Sequence, residues 1–182
     1  MADIAYDTFV DGLSKSGADA DHSMNITMGG AGGLVICVKA DFADILSDLK
    51  VDGISKLSSL VRKEAEPNSG RWGYVFEVPG LAGGARTILA TTSGTSYIYL
   101  IAASYLNVAN SAPEANTPGT LNAGTSIDAT VTTLTANAWD VLGVVGGTGF
   151  ADNGDGVIRG TGDGNTMVIM DNGPIASPGT VH

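Results

Sequence analysis

Few residues in this chain could carry catalysis, and their spacing does not assemble them. The histidines are His22 and His182. A Ser-His-Asp set could run only through His22, because His182 is the last residue, and no Gly-x-Ser-x-Gly elbow accompanies it. His22 therefore reads as a loop histidine. Glycoside hydrolysis needs two acids facing one cleft. Glutamate is confined to Glu64, Glu66, Glu77 and Glu114. Glu77 falls on the strand face opposite Trp72, Tyr74 and Phe76, which reads as a solvated face. Asp152, Asp155 and Asp163 lie in Asp/Asn/Gly-rich turns that resemble calcium loops in residue type. They lack the EF-hand spacing and its bidentate Glu, and Asx-rich turns form without metal. They are weak Ca²⁺ candidates, and the expectation is no metal and no cofactor. No His/Cys group has zinc-site spacing, and no Gly-rich segment ends in the P-loop Lys-Ser/Thr. The lone thiol, Cys37, sits inside GLVICV and is expected to be buried and inert.

The elements that would position any site are short apolar runs cut apart by Gly, Asn, Asp and Pro. Strands are expected at 4–10, 23–28, 33–39, 46–51, 54–61, 72–78, 86–92, 97–106, 126–134, 138–145, 157–161 and 166–171. Several of these runs are rich in β-branched or aromatic residues, which marks an all-β sandwich or barrel. Asp52-Gly53 signals a two-residue hairpin. One stretch is ambiguous: Phe42, Ile45, Leu46 and Leu49 have helical spacing, and Asp41 could cap a helical turn. In WGYVFE, the period of two puts Trp72, Tyr74 and Phe76 on one face, either a core face or an exposed platform for a sugar or partner. Tyr97 and Tyr99 leave the same choice open. Trp139 and Val141 share a face and are expected in the core. Residues 107–125 read as a long polar loop.

With 182 residues, 43% of them apolar, the chain can bury one sizeable core. The net charge of −10 and the lack of an Arg/Lys cluster weigh against nucleic acid. No uninterrupted apolar run is long enough for a transmembrane helix, so no membrane partner is expected. The start, MADIAYDTFVDG, has neither the basic nor the apolar region of a secretory signal. The domain division expected is an N-terminal arm or strand over 1–20 and a β-sandwich over 21–182.

The order SMNITMGGAGGLVICVKA, LKVDGISKL, WGYVFEVPGLAGGARTILAT, YIYLIAASYLNVANSAP, ANAWDVLGVVG and MVIMDNGPIASPG resembles jelly-roll, concanavalin-like β-sandwich proteins of bacteriophage virions and related secreted bacterial domains. The resemblance covers roughly residues 20–180 and implies an antiparallel two-sheet jelly-roll sandwich. It carries over no catalytic residue. One more strand is expected after SPG, supplied by the N-terminal strand or by another subunit. Thr/Ser/Gly-rich β composition without a secretion signal suits a virion protein released by lysis. The expected role is non-enzymatic and structural: a capsid decoration (cement) protein on the outer capsid surface, made in the host cytoplasm. Its expected partners are the major capsid protein or other virion proteins, with a homo-oligomer, a trimer, as the working form. Ile4, Tyr6, Phe9, Pro174 and Pro178 are the expected interaction residues. A carbohydrate-binding or adhesin module, or a tail-fibre component, is the alternative.

Overall fold

A computed structural model describes residues 3–15, 21–66, 69–94, 97–109, 131–134, 136–146, 156–164 and 166–181. The elements are β1 (Ala5–Lys15), β2 (Asp21–Met28), β3 (Gly32–Ala40), β4 (Leu46–Val51), β5 (Ile54–Ser55), β6 (Leu60–Ala65), β7 (Trp72–Leu81), β8 (Gly84–Thr92), β9 (Ile98–Leu106), β10 (Val131–Thr133), β11 (Ala138–Val145), β12 (Val157–Gly162), β13 (Met167–Ile175) and β14 (Gly179–Val181). A single 3-10 turn, Leu57–Ser59, is the only helical element among the described residues. The protein is an all-β sandwich of antiparallel sheets.

Eight of the first nine strands pair concentrically, and β6 is added at an edge beside β7. The chain turns back between β4 and β5, where Asp52 and Gly53 both have positive φ, 52° and 80°. That is the type I′ geometry, whose twist matches the flanking strands. Outward from that turn, β4 pairs with β5, β3 with β7, β2 with β8 and β1 with β9. Successive pairs go alternately to two sheets. One is a five-stranded sheet in the order β1-β9-β3-β7-β6, and the other is four-stranded, β2-β8-β4-β5. The N-terminal segment is therefore an edge strand, paired with β9 from Ala5 opposite Leu106 to Lys15 opposite Ile98, with register shifts between Tyr6 and Thr8 and between Gly12 and Lys15.

The chain after β9 adds a layer that the two-sheet expectation did not include. A three-stranded sheet, β11-β13-β12, lies on the face of the five-stranded sheet turned away from the four-stranded one. A small β10-β14 ribbon completes the described part. β14 begins at Gly179, the last residue of SPG, and pairs with β10 rather than with either sheet of the sandwich.

The five-stranded sheet is thus covered on both faces. Even-numbered residues of β3, such as Leu34, Ile36 and Val38, meet Ile26, Leu49 and Ile88 of the four-stranded sheet. Odd-numbered Val35 and Cys37 join Met167 and Ile169 of the three-stranded sheet. This explains why every residue of β3 is buried and why GLVICV is apolar without alternation. β2, covered on one face only, alternates strictly between exposed and buried.

The helical turn considered at Asp41–Leu49 does not form. Leu46–Val51 is a strand, and Leu49 and Val51 reach the core at strand spacing. Phe42 takes a left-handed φ of 76° in the preceding loop. The expected strand at 126–134 appears as Val131–Thr133, and its first half lies outside the described residues.

Candidate functional site

The aromatic strip of β7 is core. Tyr74 and Phe76 are buried against the four-stranded sheet, and Trp72 packs beside them. Trp139 packs with Val141 in the outer cluster, as their shared parity requires. Cys37 is fully buried, and burial pushes its thiol up to about 12. His22 is not in a loop: it lies within β2 and is buried. Glu77 is not on a solvated face either. The third layer covers it, and its carboxyl lies within electrostatic reach of Asp140 of β11. Burial, then the charge of Asp140, raises the Glu77 carboxyl above its ordinary range, and burial does the same to Asp140.

The five expected interaction residues separate into two groups. Ile4, Tyr6 and Phe9 pack into the outer cluster. The Phe9 ring lies over the bare backbone of Gly160, where a Cβ would collide with it. Pro174 and Pro178 are exposed near the end of β13 and just beyond it.

Chemically capable side chains concentrate between the five-stranded and three-stranded sheets. Asp171 is 2% exposed. It accepts two bonds from Arg159, Nε at 2.6 Å and Nη2 at 2.9 Å, and one from the Tyr105 hydroxyl at 3.0 Å. A fork-on-carboxylate pair of this kind is the geometry that offsets the desolvation of a buried charge. The guanidinium lies 4.6 Å from the Tyr6 ring centroid and 5.8 Å from that of Trp139. Tyr105 meets both rings edge-on, at 6.0 and 5.7 Å. Burial, then the Asp171 charge, raises the Tyr105 hydroxyl above its usual range. At the far end of the same interface, Lys39 of β3 contacts Asp163 in the β12–β13 turn and donates to Thr166 Oγ1 at 3.0 Å.

Asp163 was a calcium candidate; here its carboxyl is occupied by Lys39 and by the Thr166 hydroxyl at 2.7 Å. Asp152 and Asp155 lie outside the described residues. No group of three or more His, Cys, Asp or Glu side chains able to hold a metal occurs among the described residues.

No family model, curated protein or solved structure matches the chain.

One end of the sandwich presents apolar surface. Phe42 is 73% exposed although its φ of 76° is one that bulky residues rarely adopt. The Asp41 amide donates to the Tyr97 carbonyl at 3.0 Å, which ties the 41–45 loop to exposed Tyr97. Paired charges surround the two rings: Arg71 with Asp41 and Glu66, and Lys63 with Asp44. The Tyr74 hydroxyl donates to Asp44 at 2.7 Å and braces the loop from below.

Neither set is legible as a whole: the sequence marks Tyr97 as a possible exposed aromatic and Asp163 as a calcium candidate, but not the residues they meet. Lys39 and Asp171 sit in runs that read only as strand, and Phe42 fitted a helical spacing. The available signal was a charge inside an apolar run: Lys39 at the end of GLVICVKA and Asp171 at the end of TMVIMD.

Proposed function

We propose that this chain is a non-enzymatic structural protein of a virus particle, a capsid decoration protein built on a jelly-roll sandwich. The concentric pairing of β1–β4 with β9, β8, β7 and β5, dealt alternately into two sheets, is the order of a rolled-up double Greek key and supports the jelly-roll reading, with β6 as an added edge strand. The observation that carries the functional reading is how the chain uses its polar side chains. In the buried Arg159-Asp171-Tyr105 and Lys39-Asp163-Thr166 groups they satisfy one another, while the strained, exposed residue is an apolar ring at a loop tip. Strain at such a position is retained where a contact requires it.

The decorated surface is the outside of the capsid, which suits a net charge of −10. The partner is the major capsid protein, and Phe42, Tyr97, Pro174 and Pro178 supply contact surface. Because Tyr6 and Phe9 spend their apolar area inside the chain, the loop tip is the better place to break the contact.

The test is a mass-spectrometric inventory of purified particles that carry this gene, with wild type beside a Phe42→Ser/Tyr97→Ser variant. The expected result is wild type at near-lattice occupancy and a folded variant missing from the particles. A wild-type chain never found on particles overturns the reading.

Exposed Phe42 and Tyr97 flanked by charged and hydrogen-bonding side chains also favour a second reading, a carbohydrate-binding module. Saturable glycan binding by the isolated protein, lost in the same variant, would establish it.

A further inference from the structure

Lys39 differs from the chain's other ion-paired lysines in its surroundings. Its side chain is 4% exposed, and it contacts the Asp163 carboxyl. Lys63 makes a similar contact with Asp44, but both of those side chains are more than one-third exposed or nearly so, at 38% and 34%. Around Lys39 water is excluded on several sides. The Tyr99 ring centroid lies 4.7 Å from Nζ. Thr166 Oγ1 accepts from Nζ at 3.0 Å and donates to Asp163 Oδ2 at 2.7 Å, so it holds amine and carboxyl against each other. Asp163 is fixed by its turn, with φ of 49° followed by Gly164 at 63°. Asp41 Oδ1, held by Arg71, stands 3.9 Å from Nζ.

A third carboxyl faces this pair. Asp11 of β1 rests against Gly162, the residue before Asp163. A Cβ on Gly162 would come within 2.9 Å of Asp11 Oδ1. Burial, and then the charge of Asp163, raise the Asp11 carboxyl above its ordinary range.

We propose that Lys39 and Asp163 condense into an intramolecular amide that covalently ties the five-stranded sheet to the β12–β13 turn. An ammonium and a carboxylate contain the atoms of an amide plus one water, so no oxidant, reductant or other reactant is needed. Proton transfer within the pair gives amine and carboxylic acid. The Nζ lone pair attacks Cγ and forms the Nζ–Cγ bond. The Cγ–Oδ bond then breaks, and the oxygen leaves as water with the protons released by nitrogen. Asp11, beside the turn at Gly162, relays a proton from Nζ to the departing oxygen and ends as it began. Burial of the Lys39 amine, with Asp163 22% exposed, favours condensation over hydrolysis, and the fixed contact replaces a bimolecular encounter by a unimolecular one. The bond would join positions 124 residues apart, a long loop removed from the unfolded ensemble. This proposal does not depend on where the protein works.

The experiment is denaturing intact-mass measurement of the purified full chain, followed by peptide mapping. The expected mass is lower than the sequence mass by one water, and digestion yields a branched peptide joining Lys39 to Asp163. Lys39→Arg, checked for folding by circular dichroism, should carry its full calculated mass. Asp11→Asn should reduce the linked fraction several-fold; an unchanged fraction overturns the part given to Asp11. Cyclisation of Asp163 onto the Gly164 nitrogen loses the same mass, so the branched peptide decides. Wild type at full sequence mass, or a mass deficit without that peptide, overturns the proposal.

Discussion

The two interfaces of the five-stranded sheet are built on different principles. The inner one, against the four-stranded sheet, is filled by Ile26, Leu34, Ile36, Leu49, Tyr74, Phe76, Ile88 and their neighbours. Its polar contacts, such as Tyr74 with Asp44 and Ser104 with Asp7, sit toward the loops. The outer one, against the three-stranded sheet, has fewer fully buried apolar side chains. It encloses Asp171 with Arg159, Lys39 with Asp163, the facing carboxyls of Glu77 and Asp140, and the Cys37 thiol. Apolar burial is non-directional and tolerates small shifts, whereas fork-shaped ion pairs do not. The inner interface therefore supplies stability, and the outer one fixes where the added layer sits.

The largest effect should come from the inner interface. Phe76 is fully buried. Phe76→Ala should cost about 3–5 kcal/mol and unfold all layers together, as read from urea denaturation by tryptophan fluorescence and circular dichroism. A loss under about 1 kcal/mol would put the weight of the fold elsewhere.

Arg159→Ala comes next. It leaves the Asp171 carboxylate buried, with the Tyr105 hydroxyl as its remaining donor. Removing one member of a buried pair costs about 3–5 kcal/mol, and the surviving hydroxyl bond places this case near about 3 kcal/mol. The damage should be local. Cys37 lies under the outer layer, so its labelling by a thiol reagent, slow in the native protein, should accelerate. Amide exchange in β2, β4 and β8 should stay slow. Equal acceleration in those strands would mean that the two interfaces open as one unit.

These interfaces were not equally readable in the sequence. The inner one follows from alternation alone: WGYVF places its rings on one face, β2 alternates, and Asp52-Gly53 fixes the turn between β4 and β5. The third layer hid because its strands read as further sandwich strands, with nothing to say which face they cover. Glu77 shows the consequence. On a two-sheet assumption, the face opposite Trp72 and Phe76 is solvent; the added sheet makes it an interface. Lys39 was obscured likewise, since a charge at a strand end reads as a solvated terminus. Asp171, Arg159 and Tyr105 come from three strands, and their meeting depends on registers that no local pattern encodes. The left-handed Phe42 is set by its loop against Tyr97 and Arg71, against the helical spacing around it.

The close approach of the outer layer gives a smaller test. Gly143 sits over Cys37, and a Cβ there would lie 2.7 Å from the sulfur and 3.0 Å from a Val75 methyl. Gly143→Ala should cost about 1–3 kcal/mol by overpacking. Cys37→Ala removes the sulfur. In a double-mutant cycle the two changes should therefore be coupled, with the pair less damaging than the sum. Strict additivity would show that β11 already stands clear of β3.

The smallest effect concerns the facing acids, and it has the opposite sign. Burial, then Asp140, raises the Glu77 carboxyl, and burial raises Asp140. A carboxyl whose folded pKa exceeds its unfolded value holds its proton more tightly in the native state. Its contribution is fully present below the unfolded value, near the ordinary carboxylate range. It is lost as pH rises through the higher folded value, so at neutral pH the two acids push the outer layer off the sheet. Asp44 and Asp52 act the other way: the Lys63 and Tyr74 hydrogen bonds hold Asp44 down despite its desolvation, and the Thr87 amide and Arg86 do so for Asp52, so they weaken the fold as pH falls. The whole-protein curve mixes both signs, and the informative quantity is the difference between Glu77→Gln and wild type. The variant should match wild type near pH 4 and melt roughly 1–3 °C higher at pH 7, a shift worth on the order of 0.5–1 kcal/mol in a domain of this size. Asp140→Asn should behave alike, and combining the two should give less than the sum, because each removes the charge that repels the other. A Glu77→Gln variant less stable than wild type at neutral pH would show that the ionised carboxylate is held by a partner, and that the outer interface is satisfied throughout.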